Sequence, residues 1–435
     1  MSSPVSGDRR DFLKASAAAG VVATVSTAGA FAAGNDTIKV GLIGAGGRGT
    51  GAVRNLLDAE RVINGAAGKV EIVAVGDVFK DRAEGAVRTF KTGRDYAPFA
   101  AQIKVTPETT FDGLDAYQRV LGAGVDMVIL ATPPGFRPLH LEAAVRAGKN
   151  IFCEKPVCVD ATGARKVYGL VEESKKRNLA IVAGTQRRHQ KGYVETVKRI
   201  RDGAIGDVVA TRCAWNNNGI WFNSRQPGQT DAVYQLRNWY HYLWLCGDHI
   251  VEQHVHNLDV VNWVMDDHPV RAIGMGGRAA RPAGEASAAG QIWDHFAVEY
   301  EYKNGVKMYS YCRHLPGDND VSETIYGNKG TSRVSSYLIG REQVGNDDRD
   351  PYVQEHIDLL NSIRAGRPLN ELKSVTDSTF TAILGRNASY ACKNITWTDA
   401  LAANEDTMPK DLTLASALAT SPAPIPGSWR LPPKA

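Results

Sequence analysis

Apolar residues fall into two regimes along this chain. From Ile38 to Gly184 they form short unbroken runs: Ile38–Ile43, Val70–Val75, Val125–Ala131, Asn150–Cys153 and Ala180–Gly184. Runs of that length read as parallel strands buried on both faces. Between them the spacing turns helical: through Ala52, Val53, Leu56 and Leu57, over 82–92 and 114–121, from His140 onward, and over 160–176. Strand and helix in alternation predict a doubly wound α/β domain. Beyond Asp207 the apolar residues occur in segments with turn punctuation: 207–215, 270–275, 294–302, 306–313 and 322–326. Asn304-Gly305, between two alternating runs, is a strong hairpin signal.

The first strand runs into Gly44-Ala45-Gly46-Gly47-Arg48-Gly49 and then a helix, which is the context in which G-x-G-x-x-G binds a dinucleotide. Gly44 permits the tight turn, Gly46 lets backbone approach a pyrophosphate, and Gly49 lets helix pack on strand. Gly47 and Arg48 sit in the same turn, where free N–H groups and the helix dipole favour phosphates. Asp77 ends the second strand, where a carboxylate holds a ribose 2′-hydroxyl and repels a 2′-phosphate, so NAD is favoured; Arg82 keeps NADP open. The alternative for Asp77 is a cap for the helix after Phe79.

Composition is that of an ordinary globular protein, with 43% hydrophobic and 23% charged residues and a net charge of +4. No long basic run marks a nucleic-acid binder. The six cysteines show neither CxxC nor finger spacing. The N-terminus, Asp8-Arg9-Arg10-Asp11-Phe12-Leu13-Lys14 followed by an Ala-rich run to Ala33, resembles a twin-arginine export signal, with small-residue cleavage sites at 28–30 or 30–32. The partner it implies is the twin-arginine export machinery. No other run has the length of a membrane span, so none is expected in the mature protein. Export of a folded nicotinamide enzyme away from a free cofactor pool implies a tightly held cofactor.

The glycine turn, Thr132-Pro133-Pro134 after the 125–131 strand, and Glu154-Lys155-Pro156 together resemble the Gfo/Idh/MocA family of oxidoreductases. So do Gln186-Arg187-Arg188, Ala204-Ile205-Gly206-Asp207, and Asp358-Leu359-Leu360-x-Ser362-Ile363-x-Ala365-Gly366-x-Pro368. The resemblance spans Ile38 to Asp399. It implies an N-terminal Rossmann domain (37–155, with helices 160–176 and 375–392 packing on it) and an α+β domain with an open, mainly antiparallel sheet (156–400). An irregular arm (401–435) follows, and a homodimer or homotetramer is expected through the open sheet.

The resemblance also assigns roles. Lys155 would lie beside nicotinamide and the substrate hydroxyl, where loss of a proton needs a base within reach. Glu154, Thr132, Pro133 and His140 join the cofactor contacts. His256 matches the catalytic histidine of Asp-x-x-x-His-x-x-Asp, with Glu252 in place of the first Asp and Asp259 a sugar contact. Spacings of 3, 4 and 3 put His249, Glu252, His256 and Asp259 on one helix face. A metal held by His249, Glu252 and His256 is the alternative, although HExxH is absent. Arg188 is a substrate candidate by family position. Trp221 and Tyr240 stand in an aromatic stretch, 215–244, that suits either a sugar pocket or an oligomer interface. The expected activity is NAD(P)-dependent oxidation of a sugar or cyclitol ring carbon. The alternatives are a redox-neutral glycosidase or lyase that oxidises a sugar C3 transiently, and a non-catalytic cofactor-bearing scaffold.

Overall fold

A computed structural model describes residues 37–279 and 290–435; the export segment, 1–33, lies outside them. The chain opens with β1 (Ile38–Ile43), α1 (Gly47–Asn64), β2 (Val70–Asp77), α2 (Lys80–Thr92), β3 (Thr110–Asp112), α3 (Ala116–Gly122) and β4 (Met127–Leu130). Next come α4 (Arg137–Arg146), β5 (Asn150–Cys153), α5 (Ala161–Lys176) and β6 (Ile181–Ala183). The six strands form one parallel sheet in the order β3-β2-β1-β4-β5-β6. The order reverses between β1 and β4, so both strands open their C-terminal ends onto one crevice, the place where such sheets bind ligands.

Three details differ from the sequence reading. β3 does not read as a strand, because Phe111 is its one apolar residue and no apolar run marks it. The helix expected from His140 begins at Arg137, where Pro138 fits a first helical turn that needs no N–H from it. The sheet also continues past the boundary expected at Lys155, since β6 pairs with β5.

The second half begins with α6 (Lys191–Arg201), β7 (Val208–Asn217), α7 (Asp231–Arg237), α8 (Leu243–Cys246), α9 (His249–Glu252) and α10 (Val255–Met265). It continues with β8 (Arg271–Gly277), β9 (His295–Glu301), β10 (Lys307–His314), β11 (Asp320–Gly327), β12 (Thr331–Arg333), β13 (Leu338–Ile339) and β14 (Glu342–Gln343). It closes with α11 (Pro351–Arg364), α12 (Leu372–Ala391), β15 (Ile395–Thr396) and α13 (Trp397–Ala402). The nine strands order as β14-β13-β12-β11-β7-β10-β9-β8-β15, antiparallel except for β7 with β10. One face buries Ala272, Phe296, Val298, Met308 and Cys312; the other leaves Val209, Ile273, Met275, Tyr309, Tyr311 and Tyr326 exposed.

The two domains share helices. α11 packs its Ile357, Leu359, Leu360 and Ile363 into the first domain's core. The 375–392 helix, expected to pack with the Rossmann domain, does so in the first half of α12, where Leu372 and Val375 enter that core and Asp377 accepts from the Tyr168 hydroxyl of α5 at 2.8 Å, whereas Phe380, Ile383, Leu384 and Tyr390 lie in the core under the second sheet. The C-terminal arm is irregular and tied to both halves: Thr162 N donates to Glu405 O, and Trp293 Nε1 donates to Pro424 O at 2.8 Å.

Candidate active site

A cleft of about 630 Å³ runs along the C-terminal ends of β1, β2, β4 and β5 and is walled on its far side by the second domain. That volume lies within the range of cofactor and small-ligand sites. Its floor is the glycine turn. Gly44 has φ +98°, and a Cβ there would fall 2.5 Å from the Thr132 amide nitrogen; a Cβ at Gly49 would fall 1.9 Å from Gly44 O. Gly47 has nothing within 4 Å of its Cβ position, so its side of the turn is open. Bare backbone amides, a helix N-terminus and an adjoining cleft suit a dinucleotide pyrophosphate.

Asp77 lines the cleft at the end of β2; the cap considered as its alternative role is not made, since Phe79 is the N-cap of α2 and that helix has no side-chain cap hydrogen bond. Its Oδ2 accepts from Ala45 N at 2.7 Å and its Oδ1 from Phe79 N at 2.9 Å, so it ties the glycine turn to the start of α2 while lining the cleft. Burial raises its pKa, opposed by those two amide hydrogen bonds. Arg82 lines the same end, its guanidinium 3.4 Å from the position of a Cβ on Gly46. Arg48 Nε lies 3.0 Å from Glu154 Oε1, and its guanidinium sits 4.9 Å from the centre of the Tyr352 ring. Thr132 Oγ1 is 3.0 Å from His140 Nδ1, and burial pushes His140 down to about 3, so this imidazole is neutral. Arg137, which gives no sign in the sequence, is buried and donates to Leu130 O and to Thr132 O, fixing the end of β4.

Across the cleft, Lys155 Nζ donates to Glu252 Oε1 at 2.9 Å and to Glu252 O at 2.6 Å. Their side chains are 10% and 9% exposed. Among the described residues, Glu252 Oε2 has no hydrogen-bond partner. His256 lines the cleft with Glu252 and Gln253. Burial, and then the charge of Lys155, lower its pKa well below the usual histidine value, which leaves a neutral imidazole.

His249 and Asp259 do not join that face, because the helix is broken. Buried Asp248 caps the start of α9, accepting from His249 N, Trp293 N and the Tyr390 hydroxyl, and the break follows at Gln253 and His254. α9 ends at Glu252 and α10 begins at Val255. The His249 ring lies in the second domain's core, with Nδ1 3.1 Å from Asp248 Oδ1 and the ring 5.1 Å from that of Phe296. Among the described residues, no group of three His, Cys, Asp or Glu side chains is placed to hold a metal. Asp259 accepts from Arg188 Nε at 2.9 Å and Nη2 at 2.9 Å and from Ser378 Oγ at 2.7 Å; it is 1% exposed, and neither Arg188 nor Asp259 lines the cleft. Tyr240 is likewise buried outside it, stacked on His314 at 5.8 Å. Trp221 does line the cleft, as does Trp239 of the same aromatic stretch, together with Tyr352, which the sequence reading did not single out.

Similarity to known proteins extends over both domains. Residues 38–182 match the family model described as "Oxidoreductase family, NAD-binding Rossmann fold", and residues 197–405 match the same family's "C-terminal alpha/beta domain". Residues 8–26 match the twin-arginine translocation signal, so the chain carries a signal for export by that route. Inositol 2-dehydrogenase of Klebsiella pneumoniae (strain 342) is 27% identical over 305 residues, 68% of this chain and 74% of that protein. The inositol 2-dehydrogenase of Cereibacter sphaeroides (strain ATCC 17023) is 29% identical over 302 residues, with the same coverage. A solved levoglucosan dehydrogenase, in complex with NADH and levoglucosan, shares the fold at a TM-score of 0.63 and 15% identity, covering 82% of this chain and 99% of that one.

Proposed function

Because the chain belongs to the Gfo/Idh/MocA family of NAD(P)-dependent oxidoreductases acting on CH–OH groups, we propose that it oxidises a ring hydroxyl of a sugar or cyclitol with a tightly held NAD. The observation that carries the reading is the Lys155–Glu252 pair with neutral His256 beside it, facing a cleft whose other end is the glycine turn. The turn amides, Asp77, Arg48, Thr132, His140 and Glu154 would hold the cofactor, and a bound nicotinamide would supply the hydride acceptor. Asp77 at the end of β2 favours NAD over NADP.

The chain's own work is to move one proton. Lys155, fixed by two bonds to Glu252, has a third N–H to give to the substrate oxygen, which stabilises negative charge as the C–H bond breaks. His256 accepts the hydroxyl proton, and the Glu252 carboxylate balances the added positive charge. Trp221 offers a flat face to the C–H side of a ring. The protein would act in the periplasm or an equivalent exported location. Its exposed sheet face, with Met275, Tyr309 and Tyr311, would join copies into a homodimer or homotetramer.

The test is a panel of inositols and sugars assayed with NAD and with NADP. Reduction of NAD by at least one ring-hydroxyl substrate is expected. Reduction by simple alcohols alone would overturn the substrate class.

A further inference from the structure

The cleft's outer wall is an excursion of the second domain, residues 218–246 between β7 and α9, which places Trp221, Asn223, Leu236 and Trp239 opposite the glycine turn. It meets the cofactor domain through an apolar contact, with the Trp244 ring 5.9 Å from that of Phe136 and Leu236 and Trp244 clustered with Phe79, and through an ion pair. Arg237 Nη1 and Nη2 donate to the two oxygens of Asp81 at 3.0 and 2.7 Å, and its guanidinium lies 3.9 Å from the centre of the Phe79 ring. Phe79 and Asp81 follow Asp77 directly into α2, so this contact closes over the end of the cleft where Asp77 and Arg82 lie. A planar fork that bridges a carboxylate while stacking on a ring is a contact arginine makes and lysine does not.

The rest of the excursion is braced on itself and from behind. Asn238 Oδ1 accepts from Asn223 N at 2.8 Å, and Trp244 Nε1 donates to Gln235 Oε1 at 2.7 Å. The C-terminal arm accepts from Gln235 Nε2 at Leu418 O, 2.8 Å, and from Ala232 N at Ser416 O. Leu412, Leu414 and Leu418 of the arm pack into one apolar cluster with Phe79, Leu236 and Trp244.

We propose that this excursion is a clasp that retains the cofactor, with Arg237–Asp81 as its catch and the arm as its backing. The inference rests on the nicotinamide reading above and names the residues that would make the cofactor a resident group. A dinucleotide on the glycine turn would leave by lifting the clasp, which breaks the catch, parts Trp244 from Phe136 and leaves the two sheets intact. The clasp therefore governs release more than capture, the usual place for affinity differences among variants. An exported enzyme would so keep its cofactor where no free pool replenishes it.

The test measures bound nicotinamide in the purified mature protein and its release rate when chased with labelled NAD. Arg237→Ala should release about three- to tenfold faster, the scale of one partly exposed ion pair plus one cation–π contact. Arg237→Lys should fall between, and the charge swap Asp81→Arg with Arg237→Asp should recover part of the loss. High salt should speed release from the wild type and not from Arg237→Ala. Release from Arg237→Ala at the wild-type rate, with unchanged melting, would overturn the clasp while leaving the cofactor reading in place. A protein that carries no nicotinamide and binds neither NAD nor NADP would overturn both.

Discussion

Two cation–carboxylate pairs join the first domain to the α9–α10 region, and they do different work. Lys155–Glu252 and Arg188–Asp259 each link a residue just after a Rossmann strand to an acid in one short stretch of sequence. In the second pair the bidentate arginine and Ser378 satisfy the buried carboxylate, and the pair is shut away from the cleft. In the first pair Glu252 keeps one oxygen without a partner among the described residues, Lys155 keeps a donor, and both face the cleft with His256. A closed pair fixes domain geometry. An incomplete pair beside a cavity leaves capacity for a ligand.

The sharpest way to break this comparison is to remove each cation in turn. Lys155→Met should lower turnover by about 10³- to 10⁴-fold, the upper range of general acid–base effects, while bound nicotinamide stays in place. Arg188→Met should instead strand Asp259 and cost about 3–5 kcal/mol of stability in urea unfolding, with the folded fraction still turning over. If the two variants exchanged phenotypes, the assignment of roles would be reversed.

Acid probes the closed interior next. Burial holds His140, His254 and His356 at about 3, below the 6.5 of an exposed histidine. Between those values the unfolded chain binds protons that the folded chain does not, so stability falls as pH drops below 6.5 and is flat above it as far as these groups are concerned. Each histidine contributes a slope of about 1.4 kcal/mol per pH unit in that window. His356→Phe should flatten the slope of unfolding free energy against pH by that amount, with little effect on turnover at pH 7.

Asp77 lies between the two classes, because it is hydrogen-bonded to Ala45 and Phe79 yet lines the cleft. Asp77→Asn keeps an acceptor and removes the charge. It should shift the ratio of kcat/KM for NAD over that for NADP about three- to tenfold toward NADP, with Arg82 intact.

How much of this was legible in the sequence follows from how local each feature is. The glycine turn, Thr132-Pro133 and Glu154-Lys155 are set by strand ends, and the apolar runs give those ends away. The parallel sheet followed for the same reason, save β3, which is too short and polar to stand out. What failed was side-chain direction across a break. Spacings of 3, 4 and 3 assume one continuous helix, and the chain breaks at Gln253 and His254, between α9 and α10, while Asp248 anchors the start of α9 to Trp293 and Tyr390, far along the chain. Arg188 was seen as a charge without its partner, because Asp259 is 71 residues away. Arg137 and Tyr352 carry no motif at all; only the folded sheet and α11 bring them to the cleft.

The most direct test of the central claim is a single-turnover experiment on the mature protein purified without added cofactor. Wild type and Lys155→Met would be mixed with inositols, sugars and aryl glycosides while reduced-nicotinamide absorbance and fluorescence are followed. Stoichiometric reduction of bound nicotinamide in the wild type, together with its near absence in a Lys155→Met protein that still carries the cofactor, is the expected result. Reduction at the wild-type rate in Lys155→Met, or aryl-group release with no net reduction, would contradict the account.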